Sequence, residues 1–502
     1  MLALTLSGAI VLVSTAVASD PARFLAEDAA AGQGSGVDVR SGGYTTDPVG
    51  KLPSGCGSIS TDPRQFLTAN APSGALPTND WWSSLAFKRL NCRYSEILQA
   101  HPAAYLPNAN GLGFSSATSA QLVEPAPGLQ EYHYPYQQDF TAGVAGLDAP
   151  LVKVDGWSDW TVTPSWADGT RSMTATIGHG LPMTSFKVSG GGAQLTLAAT
   201  PRGWQNDGAT VGFAVNGHDY VGYAPTGARW TVSGLGITSD LAGKNYYTVA
   251  VLPITAASSD DERRTLAAQF GRYAHATITG TTVSYRYDQA RSTVVTSYGF
   301  TTEPAEGTET RTVTALYQHQ WKALTGSTPI AAQYVSPRGP TKVLVGVGSF
   351  STSMTFHGVL PEVPAVADAT GADRELLDGY LQQVASDPMA MQKADTYWAG
   401  KGLGRAARIA EIADQVGDVG VRDGALGAIR GTLTEWFTAT PGKTKQVFYY
   451  DRNWGTLVGY PASYGSDEEL NDHHFRYGYW FDVDGSTFPA SWKTHRGRDG
   501  PG

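Results

Sequence analysis

The sequence predicts a multidomain chain in which a large β-rich front half, read as a β-sandwich, feeds a helical back half. Three observations lead there. At 502 residues the chain is too long for one compact core and suggests about three domains. Between Pro53 and about Pro364, short apolar runs alternate with polar residues, as in Met173, Ala175, Ile177, then Val283, Tyr285, Tyr287, then Val343, Val345, Val347, with Gly or Asn turns between them. After Pro364 the apolar spacing changes to a helical period. No internal repeat of fixed period occurs, which argues against a solenoid or a propeller.

Taken in order, the apolar run from Leu2 to Val17 ends in Ala16-Val17-Ala18, the small-x-small pattern of a cleavage site. It predicts an export signal over residues 1–18, although no Lys or Arg precedes Arg23. The run is too short to span a bilayer. Residues 19–52, rich in Ala, Gly and Ser from Ala29 to Gly43, are expected to be a flexible lead-in, with order beginning near Pro53. Residues 53–364 form the predicted β-sandwich, and the lack of any long period-3.6 pattern there favours a sandwich over a mixed fold. Residues 365–400 are read as a connecting region. In it Leu376, Leu377, Tyr380, Leu381 and Val384 sit at helical spacing, capped by Asp373 and stopped by Asp387-Pro388. A second helix runs from about Leu403 through Ile409, Ile412 and Val416 to a left-handed cap at Gly417. A third carries Leu426, Ile429, Leu433, Trp436 and Phe437, and the stretch from Val447 to Tyr479 is dense in aromatics and Gly.

Composition narrows the function. With 36 basic and 45 acidic residues the net charge is -9, which repels nucleic acid and anionic membrane and suits a neutral ligand. Thirteen Trp and 24 Tyr supply flat rings that fit sugar faces, or simply fill strands and cores. The two cysteines, Cys56 and Cys92, are too few for a metal centre and in an exported chain predict one disulfide. No heptad or exposed apolar stripe marks a partner surface, so a monomer is expected.

The densest group of reactive side chains is Asp467, Glu468, Glu469, Asn471, Asp472, His473 and His474, followed by Phe475, Arg476, Tyr477, Gly478 and Tyr479. A carboxyl among imidazoles and aromatic rings can have its proton affinity tuned as a general acid requires. The same residues also fit an ordinary helix start capped by Asn471 or Asp472. Adjacent helical residues point about 100° apart, so Asp472, His473 and His474 do not share one ion, and no HExxH or CxxC spacing occurs. No metal or cofactor is expected. Neither a Gly-x-Ser-x-Gly elbow nor a phosphate-binding Gly-rich loop is present outside low-complexity sequence.

The stretch YYDRNWGTLVGYPASYGSDEELNDHHFRYGY, from Tyr449 to Tyr479, closely resembles the signature of glycoside hydrolase family 81, the endo-β-1,3-glucanases. Further landmarks similar to that family are Leu76-Pro77-Thr78-Asn79-Asp80-Trp81-Trp82, His101-Pro102, Ser158-Asp159-Trp160, Ala250-Val251-Leu252-Pro253, Gln318-His319-Gln320-Trp321, Gly358-Val359-Leu360-Pro361 and Asp395-Thr396-Tyr397-Trp398, together covering roughly residues 70 to 480. The resemblance implies a large N-terminal β-sandwich, a small connecting α/β region and a C-terminal (α/α)6 toroid with a long cleft. It also implies inverting hydrolysis of internal β-1,3 bonds in glucans of the laminarin or curdlan type, without metal or organic cofactor. In that scheme Asp472 is the general acid, His473 and His474 orient groups in the cleft, and Asp451, Trp454, Tyr477 and Tyr479 contact sugar. Core packing is the alternative for Trp454 and Tyr479.

Inversion needs a second carboxylate about 6.5–9.5 Å from the acid. The family's base Glu belongs to a downstream Ser-rich helix start that has no counterpart after Asp472, where Asp482, Asp484 and Asp499 are the only acids. Asp482 stands about ten residues on, roughly 15 Å along the same helix, too far to face Asp472 across a sugar. From Phe481 to Gly502 the Gly- and Pro-rich composition breaks helices. An aberrant tail over 481–502 is therefore expected behind an incomplete toroid over 401–480, and Arg476 stands where the family usually has a third His. These features predict a secreted endo-β-1,3-glucanase whose activity is impaired, with a non-catalytic secreted β-glucan-binding protein as the alternative.

Overall fold

The computed structural model describes residues 43–47, 49, 65–87, 94–116, 121–133, 135–254, 257–358, 368–390, 394–467, 470 and 472–481. The expected export signal, the Cys56–Cys92 disulfide, and the tail from residue 482 onward lie outside the described residues.

Alternation builds the front half. In the strand Ser172–Gly178, Met173, Ala175 and Ile177 are buried while Thr174 and Thr176 take the other face, as a two-residue period dictates. The adjoining strand Met183–Ser189 turns Phe186 and Val188 inward and Lys187 out. These belong to an eight-stranded antiparallel sheet in the order Arg202–Asn206, Thr210–Val215, His218–Tyr223, Tyr246–Val251, Met183–Ser189, Ser172–Gly178, Thr161–Ala167 and Val152–Trp157. A second antiparallel sheet of six strands runs Thr231–Ser233, Gly236–Ser239, Ala193–Leu197, Phe140–Val144, Gly111–Ser115 and Ala104–Asn108.

The two sheets share one aromatic interior. Phe114 and Phe140 of the smaller sheet stack at 4.7 Å, and Phe114 meets Phe186 of the larger at 6.2 Å. Phe140 lies 5.5 Å from Phe213 and 4.8 Å from Tyr220. Each such ring, taken fully out of water, contributes about 1.5–3 kcal/mol. One ionisable group sits among them: Asp139, 0% exposed, takes Asn216 Nδ2 at 2.9 Å on one oxygen and the Tyr220 hydroxyl at 2.5 Å on the other. His218 Nδ1 lies 2.8 Å from that second oxygen.

A helix interrupts the β region where none is expected from periodicity. Helix α1 (Asp260–Gly271) begins with a reciprocal capping box: Ser259 Oγ accepts from Glu262 N at 3.2 Å and Glu262 Oε2 accepts from Ser259 N at 2.6 Å. Its amphipathic pattern is weak because its inner face is anchored by a buried Arg263, which forks onto Asp219 at 2.8 and 3.2 Å. Beyond it lie a four-stranded sheet (Ala276–Asp288, Thr293–Pro304, Ser349–Thr355, Leu324–Thr325) and a three-stranded one (Thr312–Leu316, Gly339–Val347, Gln333–Ser336). The single-turn α2 (Gln318–Trp321) bridges them. Val283, Tyr285 and Tyr287 alternate along the first of these strands but point to solvent rather than to a core, Tyr285 being 72% exposed.

The helical half opens with α3 (Gly371–Ala385), whose N-cap position is Thr370; Asp373 sits in the first turn instead, where the helix dipole favours a negative charge. Leu381 is its buried contact, against Ile409, Ala410, Ala413 and Val421, whereas Leu376 and Tyr380 are exposed. Helix α4 (Thr396–Val416) starts at an Asp395 cap and stops at Gly417, whose φ of 78° is open to glycine at little cost. It runs unbroken across residue 400, where the sequence sets the end of the connecting region. Helix α5 (Val419–Trp436), capped by Asp418, packs back on it, and α6 (His473–Phe481) crosses its N-terminal turns. Gly400 permits that crossing, since a Cβ there would stand 3.0 Å from the Tyr479 Cβ.

The lead-in is structured at its end. Tyr44–Thr45 is a strand paired parallel to Phe448 and Tyr449 in a three-stranded sheet completed by Thr456–Tyr460. Composition conceals this because the order comes from a distant partner and not from local pattern: Gly43 sits so close to Phe437 that any Cβ would overlap its carbonyl.

Candidate active site

The hairpin Val447–Asp451/Thr456–Tyr460 and the start of α6 bring the sequence-predicted residues to one end of the helical half. The hairpin turn is closed by Asp451, whose Oδ1 accepts from Asn453 N at 2.8 Å and Trp454 N at 2.9 Å while its carbonyl accepts from Gly455 N at 2.7 Å. Asp451 is 1% and Trp454 2% exposed. Trp454 meets Phe87 edge-on at 6.3 Å, and its carbonyl takes Gln65 Nε2 at 2.7 Å. The structure therefore places both in the interior, as the joint between hairpin and β body.

Asp472 immediately precedes α6 and is exposed. Its φ of 52°, like the 53° of Leu470, turns the chain sharply at the helix entrance, and its carbonyl accepts from Arg476 N at 2.9 Å. Aspartate tolerates this left-handed geometry better than most residues. The neighbouring Glu468, Glu469 and Asn471 lie outside the described residues.

The two imidazoles separate. His473 turns inward, its Nε2 3.2 Å from Thr456 Oγ1 and its ring 4.4 Å from Tyr477. Burial, then the neighbouring His474 and Arg476 charges, push its pKa down to about 4, so it is neutral at ordinary pH. His474 is exposed, its ring 6.4 Å from that of His473. Tyr477 donates to the Leu457 carbonyl at 3.2 Å and burial holds its phenol well above the usual range. Tyr479 is half-buried between Gly400 and Phe475. Among the described residues, no three His, Cys, Asp or Glu side chains converge as metal ligands would.

Two features escaped the sequence. Asp395 Oδ1 accepts from Tyr397 N at 3.1 Å and Trp398 N at 3.0 Å and takes the Ser463 hydroxyl at 3.2 Å, tying the head of α4 to the loop before α6. Arg476, 1% exposed, donates Nη1 to the Ser463 carbonyl and lies 5.9 Å from the Tyr397 ring and 5.6 Å from the Tyr464 ring. The Asp395-Thr396-Tyr397-Trp398 landmark held the signal for the first; nothing in the sequence marked Arg476 for burial.

Residues 370–484 match the glycosyl hydrolase family 81 C-terminal domain. Over 449 residues, 88% of this chain and 56% of the relative, the sequence is 43% identical to a glucan endo-1,3-β-D-glucosidase of Thermobifida fusca. Over 422 residues, 83% of this chain and 52% of the relative, it is 37% identical to the enzyme of the same name from Acetivibrio thermocellus. The fold is similar to a solved family 81 glycoside hydrolase from Clostridium thermocellum, a mutant form, with a TM-score of 0.75 and 35% identity across 88% of this chain and 58% of that one. The chain thus spans about half the length of the curated relatives it matches.

Proposed function

Because this chain belongs to glycoside hydrolase family 81, we propose that it hydrolyses internal β-1,3-glucosidic bonds of laminarin- or curdlan-type glucans with inversion. The observation that carries the reading is the 43% identity, across 88% of the chain, to a named glucan endo-1,3-β-D-glucosidase. Both named relatives are hydrolases, which leaves the binding-only alternative without support.

Asp472 is the general acid: exposed at the mouth of α6, its carboxyl can reach a glycosidic oxygen from solvent. His473 is a positioning residue, its neutral ring keying the helix start to Thr456 and Tyr477 so that Asp472 is presented in one place. His474 and Tyr479 line the approach to it. Inversion also requires a carboxylate on the opposite face to activate water, a role we assign to none of the described residues. We read the two facing sheets as the family's β-sandwich and α3 to α6 as part of an (α/α)6 toroid. Export, a monomeric state and a neutral β-glucan as the one partner complete the reading.

Reducing-sugar release from laminarin tests it. Asp472→Asn is expected to lower the rate by about 10²-fold or more, the typical contribution of a general acid. Undiminished release in that variant would remove Asp472 from the mechanism. NMR of the first product should show the α-anomer, and a β-anomer would rule out inversion.

A further inference from the structure

Arg476 carries a positive charge into the interior. It is 1% exposed, and among the described residues its side chain makes one hydrogen bond, from Nη1 to the Ser463 carbonyl, while Nε is buried with no acceptor. Its other close neighbours are rings, the guanidinium carbon lying 5.9 Å from the Tyr397 centroid and 5.6 Å from that of Tyr464. Arg263, also buried, differs in having a carboxylate partner, Asp219, at 2.8 and 3.2 Å. A buried cation with only a carbonyl for partner is costly, and a well-packed apolar side chain of similar volume generally leaves a fold as stable or more so. Stability therefore does not explain this charge.

Its place in the fold does. The backbone N–H of Arg476 donates to the Asp472 carbonyl at 2.9 Å and closes the first turn of α6. Its side chain reaches Ser463, whose carbonyl also accepts from Ser466 N at 3.1 Å and whose hydroxyl donates at 3.2 Å to Asp395, the N-cap of α4. Tyr397, under the guanidinium, belongs to the first turn of that same helix. The chain between these anchors is strained: Tyr464, Leu470 and Asp472 have φ of 53°, 53° and 52°, left-handed values that residues with a side chain keep only where their surroundings impose them. Asp472 is itself exposed, so no interior packing fixes its carboxyl, and its direction is set by the turn that carries it.

We propose that Arg476 is a positioning residue for the Asp472 carboxyl. Its guanidinium locks the first turn of α6 to the Ser463–Ser466 loop, and through Ser463 to the head of α4, so that the acid meets the glycosidic oxygen from one direction. The buried charge is kept, despite its cost in stability, because the lock serves the reaction. This rests on the general-acid role given to Asp472 above. Arg476 itself touches neither the sugar nor the transferred proton.

Arg476→Met and Arg476→Lys, each in the full chain, test this by two measurements. Amide hydrogen exchange needs no activity. The amides of residue 476 and of Ser466, which close the two locked turns, should exchange about tenfold faster in Arg476→Met, with the thermal midpoint unchanged or raised. Arg476→Lys keeps a cation and a donor for Ser463, and its exchange should stay within about threefold of the unmodified chain. In laminarin hydrolysis, Arg476→Met should lower kcat by about tenfold or more with KM within about twofold, since a misplacement of about 1 Å costs up to about 10²-fold; Arg476→Lys should recover at least about a third of the rate. Unchanged exchange in Arg476→Met, or a lowered midpoint, would overturn the lock and make Arg476 part of ordinary packing. Faster exchange with unaltered kcat would overturn the positioning role and leave the glucanase reading intact. If the unmodified chain releases no sugar, or Asp472→Asn releases it equally fast, the reading on which the proposal rests fails, and the positioning role falls with it whatever the exchange shows.

Discussion

Asp139→Ala should be among the most damaging single changes in the β body. The carboxylate is wholly buried between the two sheets and receives Asn216, His218 and Tyr220 at 2.9, 2.8 and 2.5 Å. Asn216 is exposed and His218 half-buried, so water can replace their lost acceptor. Tyr220 is 0% exposed, and its hydroxyl would be left without one. An orphaned buried hydroxyl costs about 1–3 kcal/mol, and a bond to a charged acceptor is worth about 1.5–3 kcal/mol more. The sum, about 2.5–6 kcal/mol, brackets the roughly 3–5 kcal/mol that removing one partner of a buried charged pair generally costs. Urea unfolding followed by Trp fluorescence reads it as a lowered midpoint at unchanged slope. Tyr220→Phe removes the stranded hydroxyl, so the double variant should recover at least about 1 kcal/mol relative to additivity. A loss under about 1 kcal/mol in Asp139→Ala, or strict additivity in the cycle, would refute this account of the core.

Two further outcomes follow from buried imidazoles and close helix contact. His101 is buried beside Tyr317 and His179, and burial, then the charges of His179 and Arg338, lower its pKa to about 4. The unfolded chain takes up a proton near pH 6.5 that the folded chain refuses until about 4, so stability falls as pH drops through that window, by up to about 3 kcal/mol from this residue. Unfolding midpoints between pH 7 and 4 should flatten in His101→Asn, a side chain that tolerates the φ of 45° at this position, and an unchanged slope would exclude His101 as the source. Gly400→Val drives a side chain against Tyr479, and overpacking of that kind costs about 1–3 kcal/mol. It should lower both the thermal midpoint and laminarin hydrolysis, because α6 carries the turn at Asp472; activity unaffected at a lowered midpoint would uncouple the two.

What the sequence disclosed and what it hid divide along physical lines. Periodicity found Met173, Ala175 and Ile177 as an inward-facing strand, and the cap at Gly417, because both are set by local backbone geometry. It read Val283, Tyr285 and Tyr287 as a strand, but could not say that they face water, since that depends on what lies opposite. Helix α1 was missed although Ser259 and Glu262 spell its capping box, because a salt bridge from Arg263 replaces the apolar stripe that a helical period needs. Thr370, not Asp373, holds the N-cap position of α3 and makes no side-chain capping hydrogen bond, so the carboxylate in the first turn is the stronger signal in the sequence. At the candidate site, motif order located the helix start at Asp472, whereas His473 and Tyr477, expected in the cleft and at the sugar, are turned toward Thr456 and the Leu457 carbonyl. The interior positions of Asp451 and Trp454 and the burial of Arg476 are set by contacts with Phe87, Gln65 and Ser463, which are distant in sequence or of no distinctive type.

The parallel pairing of Tyr44–Thr45 with Phe448 and Tyr449 joins residues about 400 apart in the chain. Loop closure over that length costs entropy that only a finished β body can reduce, so this clasp must form late, after the intervening sheets have drawn the ends together. During synthesis Tyr44–Thr45 would wait for about 400 further residues before finding its partner. The hairpin that supports α6 would then gain its third strand only after its own two strands have paired.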